Sequence, residues 1–174
     1  MKKLLIVVDM QKDFVDGALG SAEAVAIVDS VVKKIESFEG DIIATYDTHY
    51  ENYMDTAEGK KLPVPHCIKR TAGWELDGKV KAALESHGYT AIEKHTFGSV
   101  DLPRLISETY GDSLESIELC GLCTDICVVS NALILKASFT ETPITVDSAC
   151  CAGVTPETHN AALATMGCCQ INII

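Results

Sequence analysis

The run Leu4-Leu5-Ile6-Val7-Val8, closed by Asp9, is the segment of this 174-residue chain that decides the fold. Five consecutive apolar residues are too few to cross a membrane, which takes about 20. They suit a central parallel strand that is covered on both faces. The preceding Lys2-Lys3 resembles the start of a secretion signal, but Asp9 ends the apolar run and no small-residue cleavage site follows, so we expect a strand.

Short strands alternate with helical patterns along the rest of the chain. Further strands are predicted at Asp41–Tyr46, Thr90–Lys94, Ile117–Cys120, Ile144–Val146 and 169–173. Helices are predicted at 22–38 (with Val25, Val28, Val31, Val32 and Ile35 at helical spacing), 75–87, 101–110, 125–137 and from Thr155-Pro156, an N-cap followed by a first-turn proline. Six strands separated by helices predict an α/β fold with a mostly parallel sheet, in which residues 1–174 form one domain.

Composition and charge exclude several classes of protein. The chain is 47% hydrophobic and 22% charged, values typical of globular domains. Its net charge is −11, whereas proteins that bind nucleic acids or anionic membranes need basic patches, so we expect neither partner. Without a secretion signal, we expect a cytoplasmic location, where the eight cysteines stay reduced and most of them serve as small packing residues.

Polar residues whose side chains could take part in catalysis or binding follow the predicted strands. This position matters because open parallel sheets bind ligands beyond the carboxyl ends of their strands. Asp9, at the end of a buried strand, either caps a turn or is a desolvated carboxylate suited to proton transfer. Lys94 is either a solvated strand end or, beside a carboxylate and a thiol, a cation that holds both as anions.

The segment from Cys120 to Cys127 leads from a strand through a glycine turn into a helix, and it allows two interpretations of its cysteines. Cys127 falls in the first helical turn, where the helix dipole lowers a thiol pKa and free N–H groups can hold an oxyanion, or it is a buried packing residue. Alternatively, Cys120 and Cys123 form a C-x-x-C pair for thiol–disulfide exchange. Cys120 falls inside the predicted strand, which would hinder that exchange.

The loop from Asp47 to His66 carries the elements of a metal site. In Asp47-Thr48-His49 the period of two puts both side chains on one side of the strand end, and Pro65-His66 and Glu58 follow in the same loop. A carboxylate and two imidazoles suit zinc, iron or manganese. The alternative is a surface loop with two unrelated histidines.

Together these segments resemble the isochorismatase-like cysteine hydrolases and, among them, the nicotinamidases. The resemblance covers the whole chain. Its motifs are Val8-Asp9-Met10-Gln11-x-Asp13-Phe14, Asp47-x-His49, Pro65-His66-Cys67, Lys94 followed by Thr96-Phe97-Gly98, and Thr124-Asp125-Ile126-Cys127-Val128. The implied fold is a three-layer α-β-α, Rossmann-like sheet of six strands.

The resemblance implies a catalytic triad of Asp9, Lys94 and Cys127. It also implies a cis peptide between Leu122 and Cys123, and an oxyanion hole formed by the N–H groups of Cys123 and Cys127. Because isochorismatases that cleave a vinyl ether lack the cysteine, its presence favours hydrolysis of a small amide, nicotinamide first, through a thioester. Other small amides and ureido compounds remain alternatives.

By the same resemblance, one divalent ion is bound by Asp47, His49 and His66, and zinc is expected before iron or manganese. The fourth ligand expected from the resemblance is Glu58, nine residues after His49, since some members use a glutamate later in this loop. The alternative is Tyr53, the nearest counterpart of the additional histidine that many nicotinamidases have. Since no triad side chain is a ligand, we expect the thiol to stay reactive without the ion. Phe14, Trp74 and Phe97 are the candidate aromatic pocket walls, and a homodimer or homotetramer is expected.

Overall fold

A computed structural model describes residues 1–174 and contains one sheet of six strands, all parallel. The strands are β1 (Lys2–Val8), β2 (Asp41–Asp47), β3 (Thr90–Lys94), β4 (Leu114–Leu122), β5 (Ile144–Ala152) and β6 (Asn172–Ile173). Their order is β3-β2-β1-β4-β5-β6. This order confirms the predicted fold class. The order in which strands are added to the sheet reverses between β1 and β4, and open parallel sheets bind ligands at such a switch point.

The helices form a layer on each side of the sheet. They are α1 (Lys12–Val15), α2 (Ala22–Ser37), α3 (Ala57–Lys61), α4 (Gly78–His87), α5 (Asp101–Tyr110), α6 (Val129–Ser138) and α7 (Pro156–Cys168). Helix α2 packs with α4, whereas α6 contacts both α5 and α7. No helix has the length and apolar character needed to cross a membrane.

Local sequence explains where the main helices begin and which faces they bury. Thr155 caps α7 in a capping box with Thr158, and Pro156 opens the helix as predicted. Ser21 caps α2 by accepting a hydrogen bond from the Ala24 N–H. The buried stripe of α2 consists of Ala24, Ile27, Val28, Val31 and Ile35. Val25, which shares the helical spacing in the sequence, is half exposed, because it directly follows Ala24 and so lies on a different side of the helix from it.

The sheet is buried between the helical layers. Leu4–Val8 is completely buried, in agreement with a strand covered on both faces. Strand β4 crosses close to β1 at Gly121, which has φ +116°. A Cβ atom at this position would lie 2.2 Å from the Val8 carbonyl oxygen, so the approach of the two strand ends requires glycine. The two strands thereby deliver Asp9 and the Cys123–Cys127 turn to the same edge of the sheet.

Candidate active site

Asp9 lies directly after β1 in a left-handed backbone conformation, with φ +46°. Its side chain is fully buried. One carboxylate oxygen, Oδ2, lies 2.6 Å from Lys94 Nζ, and the other, Oδ1, accepts a hydrogen bond of 2.6 Å from Thr45 Oγ1. Non-glycine residues in this conformation are costly and cluster at functional sites. The end of β1 therefore presents a fixed carboxylate to the end of β3.

Cys127 lies in a wide helical turn, Thr124–Val128, between β4 and α6. Its Sγ atom is 3.4 Å from Lys94 Nζ, so the ammonium group contacts both Asp9 and the thiol. All three side chains are almost completely buried. The structure thus brings together the three residues that the resemblance implies as a triad.

Burial and the neighbouring charges both shift the pKa values of these three groups. Burial raises the pKa of Cys127, and the negative charge of Asp9 raises it further, against the lowering effect of Lys94. Burial also raises the pKa of Asp9, partly offset by the Lys94 ammonium. Burial lowers the pKa of Lys94, but Asp9, Cys127 and Asp47 outweigh it and the net shift is upward. Lys94 is therefore a permanent cation, beside which a proton can pass between the thiol and the carboxylate.

The backbone next to Cys127 offers a hydrogen-bond donor. The peptide bond between Leu122 and Cys123 is cis. The N–H group of Cys123 has no acceptor within the protein, and Cys123 borders the same cavity as Cys127. A free N–H group beside a nucleophile can stabilise the oxyanion of a tetrahedral intermediate.

Asp47, His49 and His66 converge beside this thiol. Asp47 Oδ2 lies 2.9 Å from His49 Nε2 and 3.6 Å from His66 Nε2, and Glu58 Oε1 lies 3.7 Å from each of these nitrogens. A tetrahedral zinc site with bonds of about 2.1 Å separates its donor atoms by about 3.4 Å. His49 Nε2 is buried and makes no hydrogen bond, because its 2.9 Å approach to Asp47 Oδ2 does not have hydrogen-bond geometry. The donor set and this unpartnered nitrogen fit a divalent metal ion.

Hydrogen bonds to backbone carbonyl oxygens orient His66 as a ligand and engage the hydroxyl of Tyr53. Nδ1 lies 2.8 Å from the Val64 carbonyl oxygen, which only accepts hydrogen bonds, so Nε2 keeps its lone pair for a metal. The Tyr53 hydroxyl donates to the Leu62 carbonyl oxygen at 2.9 Å, and burial raises its pKa to about 12. Because this hydroxyl is neutral and already bonded, it is poorly placed to bind a metal, whereas Glu58 Oε1 is 3.7 Å from both histidine nitrogens, next to the cluster of Asp47, His49 and His66.

A small cavity of about 50 Å³ joins the thiol to the metal-ligand cluster. Phe14 and Phe97 both line it, together with Leu19, Leu62 and Ile126. Pockets for drug-sized ligands measure about 300–1,000 Å³, so this one suits a much smaller, largely apolar molecule.

Trp74 was predicted as a pocket wall, and this prediction was wrong. Its indole packs against Tyr46 at 5.1 Å between ring centroids, and its Nε1 donates to Thr48 Oγ1 at 2.9 Å. The hydrogen bond satisfies the indole N–H behind the metal-ligand loop. The ring therefore supports β2 and does not contact the cavity.

Two polar residues that sequence reasoning missed complete the site. Thr45 holds Asp9, and its signal was its position two residues before Asp47, on the same face of β2. Asn131 is fully buried and donates to the carbonyl oxygens of Cys127 (2.8 Å) and Phe97 (3.2 Å), while it accepts from the Ser99 N–H. Its spacing of four residues from Cys127, one helical turn, was the available signal.

The C-x-x-C interpretation finds no support in the structure. Cys120 is fully buried within β4, and burial raises its pKa. Burial also raises the pKa of Cys123, to about 12. Thiol–disulfide exchange needs an accessible thiolate, and neither thiol contacts a cation as Cys127 contacts the Lys94 ammonium. The exposed thiols are those of Cys168 and Cys169, at the end of α7.

Comparison with known proteins agrees with this geometry. Residues 3–173 match the isochorismatase domain family. The chain belongs to the isochorismatase family. Among curated members, it is 27% identical to the nicotinamidase/pyrazinamidase of Mycobacterium tuberculosis, over 99% of this chain and 98% of that protein.

Solved structures of isochorismatase-family proteins show the same likeness. The nicotinamidase/pyrazinamidase PncA of Bacillus subtilis superposes with a TM-score of 0.86 at 28% identity, covering 99% of both chains. The pyrazinamidase of Pyrococcus horikoshii in complex with zinc gives a TM-score of 0.80 at 26% identity, covering 100% of this chain and 99% of that one.

Proposed function

We propose that this protein is a cysteine amidohydrolase that converts nicotinamide, or a close aromatic relative, into the carboxylate and ammonia. The observation that carries the proposal is the Lys94 ammonium, 2.6 Å from Asp9 and 3.4 Å from the Cys127 thiol, at a cavity that the metal-ligand cluster also borders. The named activities of the relatives support the same reaction class.

In the first half of the reaction, Asp9 accepts the thiol proton while Lys94 stabilises the resulting thiolate. The sulfur of Cys127 then attacks the carbonyl carbon and forms a C–S bond. The oxyanion is held by the N–H groups of Cys123 and Cys127, and such donors contribute about 3–4 kcal/mol each. Asp9 returns its proton to the amide nitrogen, the C–N bond breaks, and ammonia leaves a thioester on Cys127.

Hydrolysis of the thioester repeats these roles with water as the nucleophile. Asp9 accepts a proton from water as the hydroxyl oxygen attacks the thioester carbon. The C–S bond breaks, the carboxylic acid is released, and Asp9 returns the proton to the sulfur. The sum is one amide and one water converted into one acid and one ammonia, with the protein unchanged.

Asp47, His49, His66 and Glu58 would hold a divalent ion, for which we propose zinc, with iron and manganese as alternatives. The zinc complex of the Pyrococcus horikoshii pyrazinamidase supports this choice. The chemistry that such an ion supplies when bound is a coordination point for a lone pair of the substrate, such as a ring nitrogen. The protein's own part is to orient the four donors and to surround the substrate ring with Phe14 and Phe97.

Ammonia release from a panel of amides tests the proposal. We expect turnover of nicotinamide and pyrazinamide, less of benzamide, which lacks the ring nitrogen, and none in Cys127→Ala. Cys168→Ala, which removes an exposed thiol, is the matched control and should retain wild-type activity. Activity on a ureido substrate alone would move the protein to another substrate class. Full activity in Cys127→Ala would overturn the mechanism.

The homo-oligomeric state and the cytoplasmic location remain predictions. Sedimentation analysis of the purified protein measures the first, with a dimer or tetramer expected. Fractionation of the source cells measures the second.

A further inference from the structure

Gln11 and Asp13 follow β1 in the motif that contains Asp9, but neither has a place in the proposed reaction. Gln11 is fully buried, and Asp13 is partly buried at the base of the metal-ligand loop. Burying a polar side chain is unfavourable unless its hydrogen bonds are made, so the partners of these residues indicate what they do.

The amide of Gln11 pairs with the backbone of Asp47 on both sides. Gln11 Oε1 accepts from the Asp47 N–H at 2.7 Å, and Gln11 Nε2 donates to the Asp47 carbonyl oxygen at 2.8 Å. Nε2 also donates to the Trp74 carbonyl oxygen at 2.9 Å. Only an amide places an acceptor beside two donors in this way. Both backbone groups of Asp47 are therefore fixed, and with them the direction of its carboxylate.

The carboxylate of Asp13 holds the other side of the loop. Asp13 Oδ2 accepts from the Cys67 N–H at 2.8 Å, and Oδ1 accepts from the Ala18 N–H at 3.2 Å. Cys67 adjoins His66 and has a left-handed backbone with φ +47°. The Cys67 carbonyl oxygen in turn accepts from the His49 N–H at 3.0 Å. Asp13 thus fixes Cys67, the residue that follows His66 and also accepts the hydrogen bond from the His49 N–H.

We propose that Gln11 and Asp13 are positioning residues that hold Asp47, His49 and His66 at metal-binding distances. The inference rests on the metal part of the proposed function. Partners of ligands typically change metal affinity 10–100-fold when they are replaced. Neither residue touches the reacting atoms, so their loss weakens retention of the ion more than turnover at saturating ion.

The test measures zinc affinity by competition with a chromophoric chelator, in a Cys168→Ser/Cys169→Ser background that removes the two exposed thiols as competing ligands. Gln11→Glu replaces the donating Nε2 by a second acceptor, and Asp13→Ala removes both acceptors. Asp13→Asn keeps one acceptor and nearly the same shape, so it serves as the partial rescue. Gln170→Glu and Asp16→Asn make the same chemical changes at exposed positions.

We expect zinc dissociation constants to rise about 10–100-fold in Gln11→Glu and Asp13→Ala, less in Asp13→Asn, and under about 2-fold in the controls. Turnover of nicotinamide should return towards the wild-type value at saturating zinc. In the Asp13 variants at saturating zinc, alkylation of Cys127 should keep its wild-type rate, because Asp13 contacts no triad residue. If Asp13→Ala does not fold, Asp13→Asn decides.

Each remaining outcome separates this inference from the proposed function. Unchanged zinc affinity in all variants, or zinc-free wild-type protein, would overturn the positioning role, whether or not nicotinamide is hydrolysed. If the variants bind zinc more weakly and the wild-type protein hydrolyses no amide, the positioning role is supported and the proposed reaction is refuted. Equal loss in the exposed controls would overturn the positioning role.

Discussion

Replacement of Lys94 by methionine tests the centre of the site, because its ammonium compensates two buried carboxylates. Lys94 Nζ lies 2.6 Å from Asp9 Oδ2 and 3.3 Å from Asp47 Oδ1, and the three side chains are 1%, 0% and 5% exposed. Removing one partner of a buried ion pair costs about 3–5 kcal/mol. At about 2–4 °C per kcal/mol for a chain of this size, the melting temperature should fall by about 6–20 °C.

The pH dependence of this loss has a definite sign. Without the ammonium, burial and the negative charge of Asp47 raise the pKa of Asp9 against the Thr45 hydrogen bond alone, so this pKa rises further above the ordinary value. The folded variant then binds a proton more readily than the unfolded chain does, and its stability decreases as the pH rises through the folded pKa. The deficit of Lys94→Met should therefore be larger at pH 8 than at pH 5. Adding Asp9→Asn should restore part of it at pH 8.

Lys34 provides the matched control. Its ammonium also pairs with two carboxylates, Glu118 at 2.5 Å and Asp147 at 2.7 Å, but the three side chains are 21%, 20% and 12% exposed. Water and salt screen such pairs, so Lys34→Met should lose only about 1–2 kcal/mol for the two pairs. The measurement is thermal unfolding followed by circular dichroism at both pH values. Equal losses in the two variants, or a wild-type melting temperature in Lys94→Met, would refute the reasoning.

Three further predictions concern the base, the fourth metal donor and the close approach of β1 and β4. Asp9→Asn should reduce the turnover number at least about 100-fold, measured as ammonia release from a folded variant, and wild-type turnover would remove Asp9 as the base. Glu58→Ala should weaken zinc binding about 10-fold or more whereas Tyr53→Phe should not, and the reverse order in a chelator titration would assign the ligand to Tyr53. Gly121→Ala should lower the melting temperature more than Gly88→Ala, because both glycines have positive φ but only Gly121 lacks space for a Cβ; equal losses would contradict the clash.

The fold could be predicted because its decisive signals are local. The apolar run of β1, the helical spacing in α2 and the cap at Thr155 each determine an element with little help from distant residues. Other boundaries depend on tertiary pairing. The second half of β5, Asp147–Ala152, has no apolar alternation and is a strand because β4 pairs with it and Lys34 neutralises Asp147. Helices α1 and α3 span four and five residues, too few to show a period.

The site residues could be predicted where the reaction requires a particular residue type. They could not be predicted where a residue matters only because of a hydrogen bond that it makes in the folded protein. A nucleophile, a base and metal ligands come from few residue types, so Cys127, Asp9 and His49 could be selected with the family motif as a guide. Thr45 and Asn131 are ordinary residues whose importance lies in the atoms that they meet across the fold. The Thr45–Asp9 contact joins segments 36 residues apart, and the spacing of four residues between Asn131 and Cys127 is too common along the chain to single out Asn131.

Asp47 shows why the metal cluster and the triad are not separate units. Its Oδ1 lies 3.3 Å from Lys94 Nζ, and its Oδ2 lies 2.9 Å from His49 Nε2. One carboxylate thus faces the triad cation and the metal donors, so the expectation that the thiol is indifferent to the ion loses its basis. A substitution at Asp47 would disturb both the metal donors and the triad, so its effect on activity could not be attributed to either group. Glu58 contacts the two histidines but not Lys94, so Glu58→Ala is the variant that separates loss of the ion from loss of the triad.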